Sequence, residues 1–185
     1  MMTGSRPALV TVGIPTFNRP QGLERTLQCI TGQTYRNLEI IVSDNCSTDP
    51  AVLELLTKYA AADNRISYHV QEKNISIVPN FQYLLNRANG EYFMWAADDD
   101  FWDSNFIEVC VNGMQQNPDV VLCMTDLKIV GLDGNATRSK LNRGFMQQQL
   151  LARCFQFVKS TDENKYFFCG LYRTAAVKDI PFNND

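Results

Sequence analysis

The first half of the chain alternates between two apolar periodicities. ALVTVGIP (8–15) is a β-branched apolar run that stops at Pro15, and from Pro20 onward Leu23, Leu27 and Ile30 recur at helical spacing. LEIIVSD (38–44) is a second apolar run. Ser47-Thr48-Asp49-Pro50 then reads as a helix cap with proline at the first helical position, and Val52, Leu55, Leu56 and Tyr59 follow at i, i+3, i+4 and i+7. RISYHVQ (65–71) predicts a third strand, and Phe81, Leu84, Leu85 and Ala88 predict a third helix. Asn89-Gly90 ends that helix before EYFMWAA (91–97), the fourth strand.

Strands that are apolar on both faces, separated by helices of about ten residues or more, indicate βαβ crossovers and a mainly parallel sheet. The expected fold class is therefore α/β, a three-layer α/β/α Rossmann-like arrangement. Beyond Asp100 the pattern loosens. Ser104 can cap a helix carrying Ile107, Cys110, Val111 and Met114, DVVLCMTDLKIV (119–130) reads as one long strand, and a turn spans Gly131 to Asn135. A helix with Leu151, Cys154, Phe155 and Val158 in register and a strand YFFCGLYR (166–173) complete a more irregular C-terminal part. No repeat, linker or low-complexity segment is visible, so residues 1–185 are expected to form one domain.

In open parallel sheets, ligands bind outside the carboxyl ends of the strands, where the strand order reverses. Polar clusters fall at those ends here: Pro15-Thr16-Phe17-Asn18 after the first strand, Ser43-Asp44-Asn45 after the second, and Asp98-Asp99-Asp100 after the fourth. Three adjacent carboxylates repel one another beside a core unless water, a helix N-terminus or a cation compensates. Neither GxGxxG nor GxxxxGKS follows the first strand, so a bound nucleotide cannot rely on a glycine cradle. A hard divalent ion, Mg2+ or Mn2+, between carboxylates and phosphate oxygens is the alternative. Asp44 and Asn45 offer acceptors and donors for a nucleobase edge or a ribose.

Composition narrows this further. A net charge of −3 and a pI near 5.2, with no basic run, argue against nucleic acid as a partner. No stretch approaches the length of a membrane span, and MMTGSRPALV lacks the features of a signal peptide. The chain thus reads as soluble and cytoplasmic, with peripheral association at the inner face of a membrane left open. Cys29, Cys46, Cys110, Cys123, Cys154 and Cys169 stand singly, without CxxC pairs, and are expected to be reduced core residues. The single histidine, His69, lies mid-strand and is expected to be structural, which removes a His-based triad or multi-His metal site. Without a secretory signal, the sequon triplets at Asn45, Asn74 and Asn135 read as chance matches.

VTVGIPTFNR, LEIIVSDNCSTD and NGEYFMWAADDD together resemble the first strand, the DDGSTD-type turn and the DxD region of family 2 glycosyltransferases of GT-A fold, particularly bacterial enzymes that build cell-surface polysaccharides. The resemblance covers residues 8–115 closely and the rest loosely. It implies a nucleotide-binding half over 8–100 and an acceptor-side half over 101–185, with Pro15, Thr16 and Asn18 lining the nucleoside pocket and Asp44 on the base or ribose. Asn45 stands where many relatives have a second aspartate. Asn80 matches a position that often faces the nucleotide. Asp98 and Asp99 match the ribose, diphosphate and metal aspartates; Ala96 replaces the first aspartate of the commoner form, which leaves Asp98-Asp99 or Asp98-x-Asp100 as the working pair, the former favoured. Metal candidates are thus Asp98, Asp99 and Asp100.

The resemblance further implies inversion at the anomeric carbon, which needs a general base for the acceptor hydroxyl. Relatives supply it from an acidic residue downstream. Asn184-Asp185 is the matching pair and makes Asp185 the first candidate; because a chain end is normally frayed, either the natural chain continues past it or the base lies elsewhere. Asp126 is the reserve, and Asp162 and Glu163 are weaker. Arg19, Lys73 and Arg87 could meet phosphate or simply be solvated, and Phe101 and Trp102 could stack on a sugar or join the core. The expected activity is transfer of a sugar from a nucleotide-diphosphate donor, UDP-linked by preference, to a hydroxyl of a glycan or lipid-linked acceptor. The rivals are a nucleotide-sugar-binding domain without turnover and a sugar-phosphate nucleotidyltransferase, for which GIPTFNRPQG lacks the glycine-rich loop.

Overall fold

The computed structural model describes residues 7–130, 136–139 and 168–179. The chain divides into two compact units, one of Met1–Cys123 with Leu171–Asp185 and the other of Met124–Gly170. The first contains β1 (Val10–Thr16), α1 (Pro20–Thr31), β2 (Leu38–Asp44), α2 (Pro50–Ala62), β3 (Ile66–Val70), α3 (Ile77–Arg87), β4 (Tyr92–Trp95), α4 (Phe106–Gln116) and β5 (Leu122–Cys123). In the second, β6 (Leu127–Val130) pairs antiparallel with β7 (Ala136–Ser139). β8 (Leu171–Arg173) and the short α5 (Thr174–Val177) return the chain to the first unit.

Among the described residues the main sheet has six strands in the order β3-β2-β1-β4-β8-β5. The first four are parallel, and β8 is antiparallel to both β4 and β5. The chain steps outward from β1 to β3 and then crosses back to place β4 on the other side of β1. That reversal opens a crevice between the carboxyl ends of β1 and β4. Alternation divides the core into two layers. Val10, Val12 and Ile14, with Leu38, Ile40 and Val42, and with Tyr92, Met94 and Ala96, share one apolar cluster with residues of α1, α2 and α4. On the opposite face α3 presses so closely that a Cβ on Gly13 would lie 3.0 Å from that of Leu84, and the Trp95 indole donates to the Phe81 carbonyl at 3.1 Å.

Local chemistry accounts for most boundaries. Pro20 and Pro50 open α1 and α2 at positions whose N–H needs no partner, and Asp49 caps α2 by accepting from the Ala51 N–H at 3.0 Å. Elsewhere the pattern misleads. β1 does not stop at Pro15 but runs through it, opposite Ser43, to Thr16. The odd residues of β1 turn their peptide groups towards β4, as in the Ala96 N–H bond to the Gly13 carbonyl, and that ladder ends at Gly13. The missing N–H of Pro15 therefore falls beyond the last pair of that ladder. β3 is an edge strand, with only Ile66 of its five residues buried. His69, exposed on that edge, stacks on Tyr83 at 5.0 Å.

Three expectations in the second half need correction. Ser104 does not cap α4, which starts at Phe106; the buried Gln33 side chain supplies the acceptor, at 3.1 Å from the Ile107 N–H. The expected long strand over 119–130 is two strands in different sheets, β5 and β6, with no Gly or Pro in sequence to mark the break. Of the strand expected over 166–173, residues 166 and 167 lie outside the described residues, Phe168 and Cys169 are in a 3-10 turn, and Leu171–Arg173 is strand. The turn at 131–135 and the helix around Leu151 lie outside the described residues. Of the five described cysteines all are free, but Cys110 alone among them is buried. No helix among the described residues is long and apolar enough to cross a membrane.

Candidate functional site

Thr16 and Asp44 end two adjacent strands, and Asp98 follows the end of a third, so that the three fall at one end of the sheet. Thr16 and Asp44 are partners in the β1–β2 register. The Thr16 hydroxyl donates to Asp98 Oδ2 at 2.9 Å, across the crevice where β1 and β4 part. The Asn45 N–H then bonds the Thr16 carbonyl at 2.9 Å, carrying the ladder one residue past β2. Thr16, Asp44 and Asn45 are thus fixed by backbone pairing, whereas Asp98 sits in the turn after β4 and is tied to Thr16 by its side chain.

Asp98 is 7% exposed, and its burial pushes the carboxyl up from its ordinary value. The Thr16 hydroxyl and the Arg19 guanidinium pull it down, and the neighbouring Asp99 charge adds to the rise. Arg19 Nη1 lies 3.0 Å from Asp98 Oδ1 and 3.2 Å from Asp99 Oδ2. The two carboxylates therefore converge on one cationic nitrogen. Asp99 is exposed, whereas Asp100 is half-buried in the turn closed by its N–H on the Ala97 carbonyl.

The loop after β1 and the loop after β2 are tied together. Asn18 adopts φ 53, and its side-chain carbonyl accepts from the Thr48 N–H at 2.8 Å and the Asp49 N–H at 3.1 Å. Its own N–H donates to Ser47 Oγ at 2.7 Å, while the Ser47 N–H and hydroxyl both bond the Asp44 carboxylate. Asn45 holds a third loop: it accepts from the Ile75 N–H at 2.8 Å and donates to the Asn74 side chain and the Ser76 carbonyl at 3.2 Å. Asn80, buried at the start of α3, exchanges bonds with Ser43, accepting its hydroxyl at 2.6 Å and donating to its carbonyl at 3.2 Å. Pro15, Thr16, Asn18, Asp44, Asn45 and Asn80 thus belong to one connected set around the ends of β1 and β2.

Asp126 is exposed in the second unit, between β5 and β6. Asp185, Asp162 and Glu163 lie outside the described residues. The two aromatics after the triplet part company: Trp102 packs against the core, and Phe101 is 65% exposed beneath the Arg25 guanidinium at 5.4 Å. Arg87 stacks on Tyr83 at 5.0 Å.

Sequence reasoning passed over three contributors. Ser47, three residues after Asp44, is the common hydrogen-bonding pattern of a short polar turn and was legible as such. Gly22 sits inside α1, where a Cβ would lie 2.1 Å from the Asp98 carbonyl oxygen; a glycine within a helical pattern is the signal of such a close approach. The Thr26 hydroxyl, one turn on, bonds the Ala97 carbonyl at 3.2 Å, so α1 grips the backbone of the acidic turn at two points.

Among the described residues no three His, Cys, Asp or Glu side chains gather as a metal-holding group. The donor set nonetheless suits a hard divalent ion of the Mg2+ type, which takes one or two carboxylates and completes its shell with phosphate oxygens and water. Asp98 Oδ1 and Asp99 Oδ2 are both turned towards one cationic partner, Arg19 Nη1.

The profile described as "Glycosyl transferase family 2" matches residues 11–180. The chain is 29% identical over 133 residues to TuaG of Bacillus subtilis (strain 168), a glycosyltransferase named for teichuronic acid biosynthesis; the match covers 72% of this chain and 52% of TuaG. Among solved structures, S. aureus TarS 1-349 in complex with UDP-GlcNAc superposes with a TM-score of 0.69 at 22% identity, covering 92% of this chain and 46% of that one. The mannosyltransferase PcManGT from Pyrobaculum calidifontis, in complex with GDP-Man and Mn2+, gives a TM-score of 0.57 at 24% identity over 64% of this chain and 35% of its own. The chain spans about half the length of TuaG and less of several other relatives.

Proposed function

Because the chain belongs to glycosyl transferase family 2, with the GT-A type of α/β fold, we propose that it carries the donor-binding machinery of a glycosyltransferase that moves a sugar from a nucleotide diphosphate to a hydroxyl acceptor in polysaccharide or glycolipid synthesis. The observation that carries this reading is the Thr16–Asp98 bond beside the Thr16–Asp44 register pair, which gathers three polar strand ends at the reversal of the sheet. The UDP-GlcNAc bound by TarS favours a uridine nucleotide, and TuaG favours a cell-surface polysaccharide.

In this reading Pro15, Thr16, Asn18, Asp44 and Asn45 form the nucleoside side of the site. Asp44 offers acceptor oxygens to ribose or base, and Asn18 and Ser47 hold the loop that shapes the pocket. Asn80 acts one step back, fixing Ser43 and so the end of β2. Asp98 and Asp99 form the diphosphate side, with Asp100 as a further candidate ligand. A bound Mg2+ or Mn2+ supplies neutralising charge to the diphosphate as it leaves; the PcManGT complex with Mn2+ supports its use.

The chemistry we propose is a single displacement. The acceptor oxygen attacks the anomeric carbon as the bond from that carbon to the diphosphate oxygen breaks, and the electron pair leaves on the phosphate. A carboxylate takes the acceptor proton; Asp185 is the first candidate and Asp126 the second. Binding of UDP by calorimetry in Mn2+ and in EDTA tests the site. Strong binding in Mn2+ and weak binding in EDTA is expected, and equal affinity in both removes the cation from the account. Turnover of a nucleotide sugar then separates an enzyme from a domain that binds the donor only.

A further inference from the structure

Arg19 Nη1 occupies the gap between two carboxylates of the acidic turn, 3.0 Å from Asp98 Oδ1 and 3.2 Å from Asp99 Oδ2. A small divalent ion bound by the same two oxygens would lie about 2.0–2.1 Å from each, inside the same gap. Two cations cannot share it, because their repulsion at such a separation exceeds what either gains. The side chain is placed to give way. Its backbone stands at the residue before α1, where its carbonyl accepts the Leu23 N–H at 2.9 Å and anchors the stem whatever the guanidinium does. The side chain itself is 49% exposed, and Asp99 is more exposed still. The half of the contact on exposed Asp99 is worth only about 0–1 kcal/mol, whereas the half on buried Asp98 is released only as an incoming cation takes over the same charge.

Resting on the reading that Asp98 and Asp99 meet the cation, we propose that Arg19 is an exchangeable counter-ion. It closes the pair in the donor-free protein, yields that place when a cation and a nucleotide diphosphate arrive together, and turns its planar fork onto a phosphate oxygen. The arrangement makes the two ligands cooperative: the cation alone must displace an arginine with nowhere better to go, whereas the diphosphate offers that arginine a new partner. It also removes the repulsion of adjacent carboxylates while the site is empty.

The test titrates Mn2+ alone, and then UDP at saturating Mn2+, into wild type, Arg19→Gln and Arg19→Lys, with thermal melts to confirm that each is folded. Arg19→Gln should bind Mn2+ alone about three- to tenfold more tightly, since no cation competes, yet bind UDP with Mn2+ about tenfold more weakly, having lost a charged contact. Arg19→Lys keeps the competing charge without the fork, so its Mn2+ affinity should match wild type while its UDP affinity falls. Unchanged or weaker Mn2+ binding by Arg19→Gln, or full UDP affinity in both variants, overturns the proposal. If wild type itself binds UDP equally in Mn2+ and EDTA, the cation reading has failed and takes this one with it. Mn2+-dependent wild-type binding with an indifferent Arg19→Gln sinks the counter-ion role alone.

Discussion

Thr16 at the end of β1 donates its hydroxyl to Asp98 beyond the end of β4 at 2.9 Å, and neither side chain is exposed to bulk solvent. This bond spans the place where the two strands separate, so it sets the width of the crevice as well as satisfying a buried carboxylate. Replacing the donor without changing the shape isolates that contribution. Thr16→Val should lose about 1–3 kcal/mol of stability in urea denaturation and bind UDP more weakly, while Thr16→Ser should keep both. Equal stability of all three proteins would assign Asp98 to Arg19 alone.

Asp98 carries a pH signature. Its carboxyl is raised in the folded chain, first by burial, so between its ordinary and its raised pKa the folded state holds a proton that the unfolded state has released. Stability from this group is then greatest below that window and declines as pH rises through it. Asp98→Asn removes the penalty and should melt at or above wild type at neutral pH, with the gap narrowing as pH is lowered towards the ordinary carboxylate range. A gap that widens on acidification would show that the carboxylate is stabilised in the fold.

Asp99 is the exposed member of the pair, so its exchange should touch function and spare the fold. Asp99→Asn is expected to abolish the Mn2+-dependent part of UDP binding in calorimetry and to leave the melting temperature unchanged or slightly higher. A large loss of stability would instead mark the acidic turn as structural.

Gly22 positions α1 against the turn that carries Asp98. In Gly22→Ala the new Cβ, 2.1 Å from the Asp98 carbonyl oxygen, meets backbone that cannot rotate aside. Overpacking of this kind costs about 3 kcal/mol, against about 1 kcal/mol gained in helix propensity. A net loss near 2 kcal/mol by denaturant titration, with weakened UDP binding, is expected; a more stable variant would refute the close approach.

The general base is assayed by transfer rather than by binding. Asp185→Asn should retain donor affinity and lose about 10²–10⁴-fold in transfer, with Asp126→Asn measured beside it. Full transfer by Asp185→Asn eliminates that residue, and the same loss in Asp126→Asn moves the role there.

The extent to which the site was legible follows from where each residue's partners lie. Asp44, Asn45 and the Asp98-Asp99 pair stand at the ends of strands that their own apolar runs announce, so architecture alone marks them. Arg19 read equally well as a solvated charge, because the carboxylates it meets are some eighty residues away. Asn80 was assigned to the nucleotide from a motif position, yet its side chain is bonded to Ser43, a partner that only the packing of α3 on β2 supplies. In the same way Ser104 looked like the cap of α4, while Gln33, from a different part of the chain, does that work.

By itself the sequence determined the alternation of β1 to β4 with α1 to α3, the two proline-opened helices and the polar strand ends, because periodicity, caps and turns act over a few neighbouring residues. Tertiary structure decided the strand order, the edge position of β3, the division of residues 119–130 between two sheets and the single cationic nitrogen between Asp98 and Asp99. Those depend on which distant segments meet. A one-dimensional pattern of apolar residues specifies that a face will be buried, and only the packed chain specifies against what.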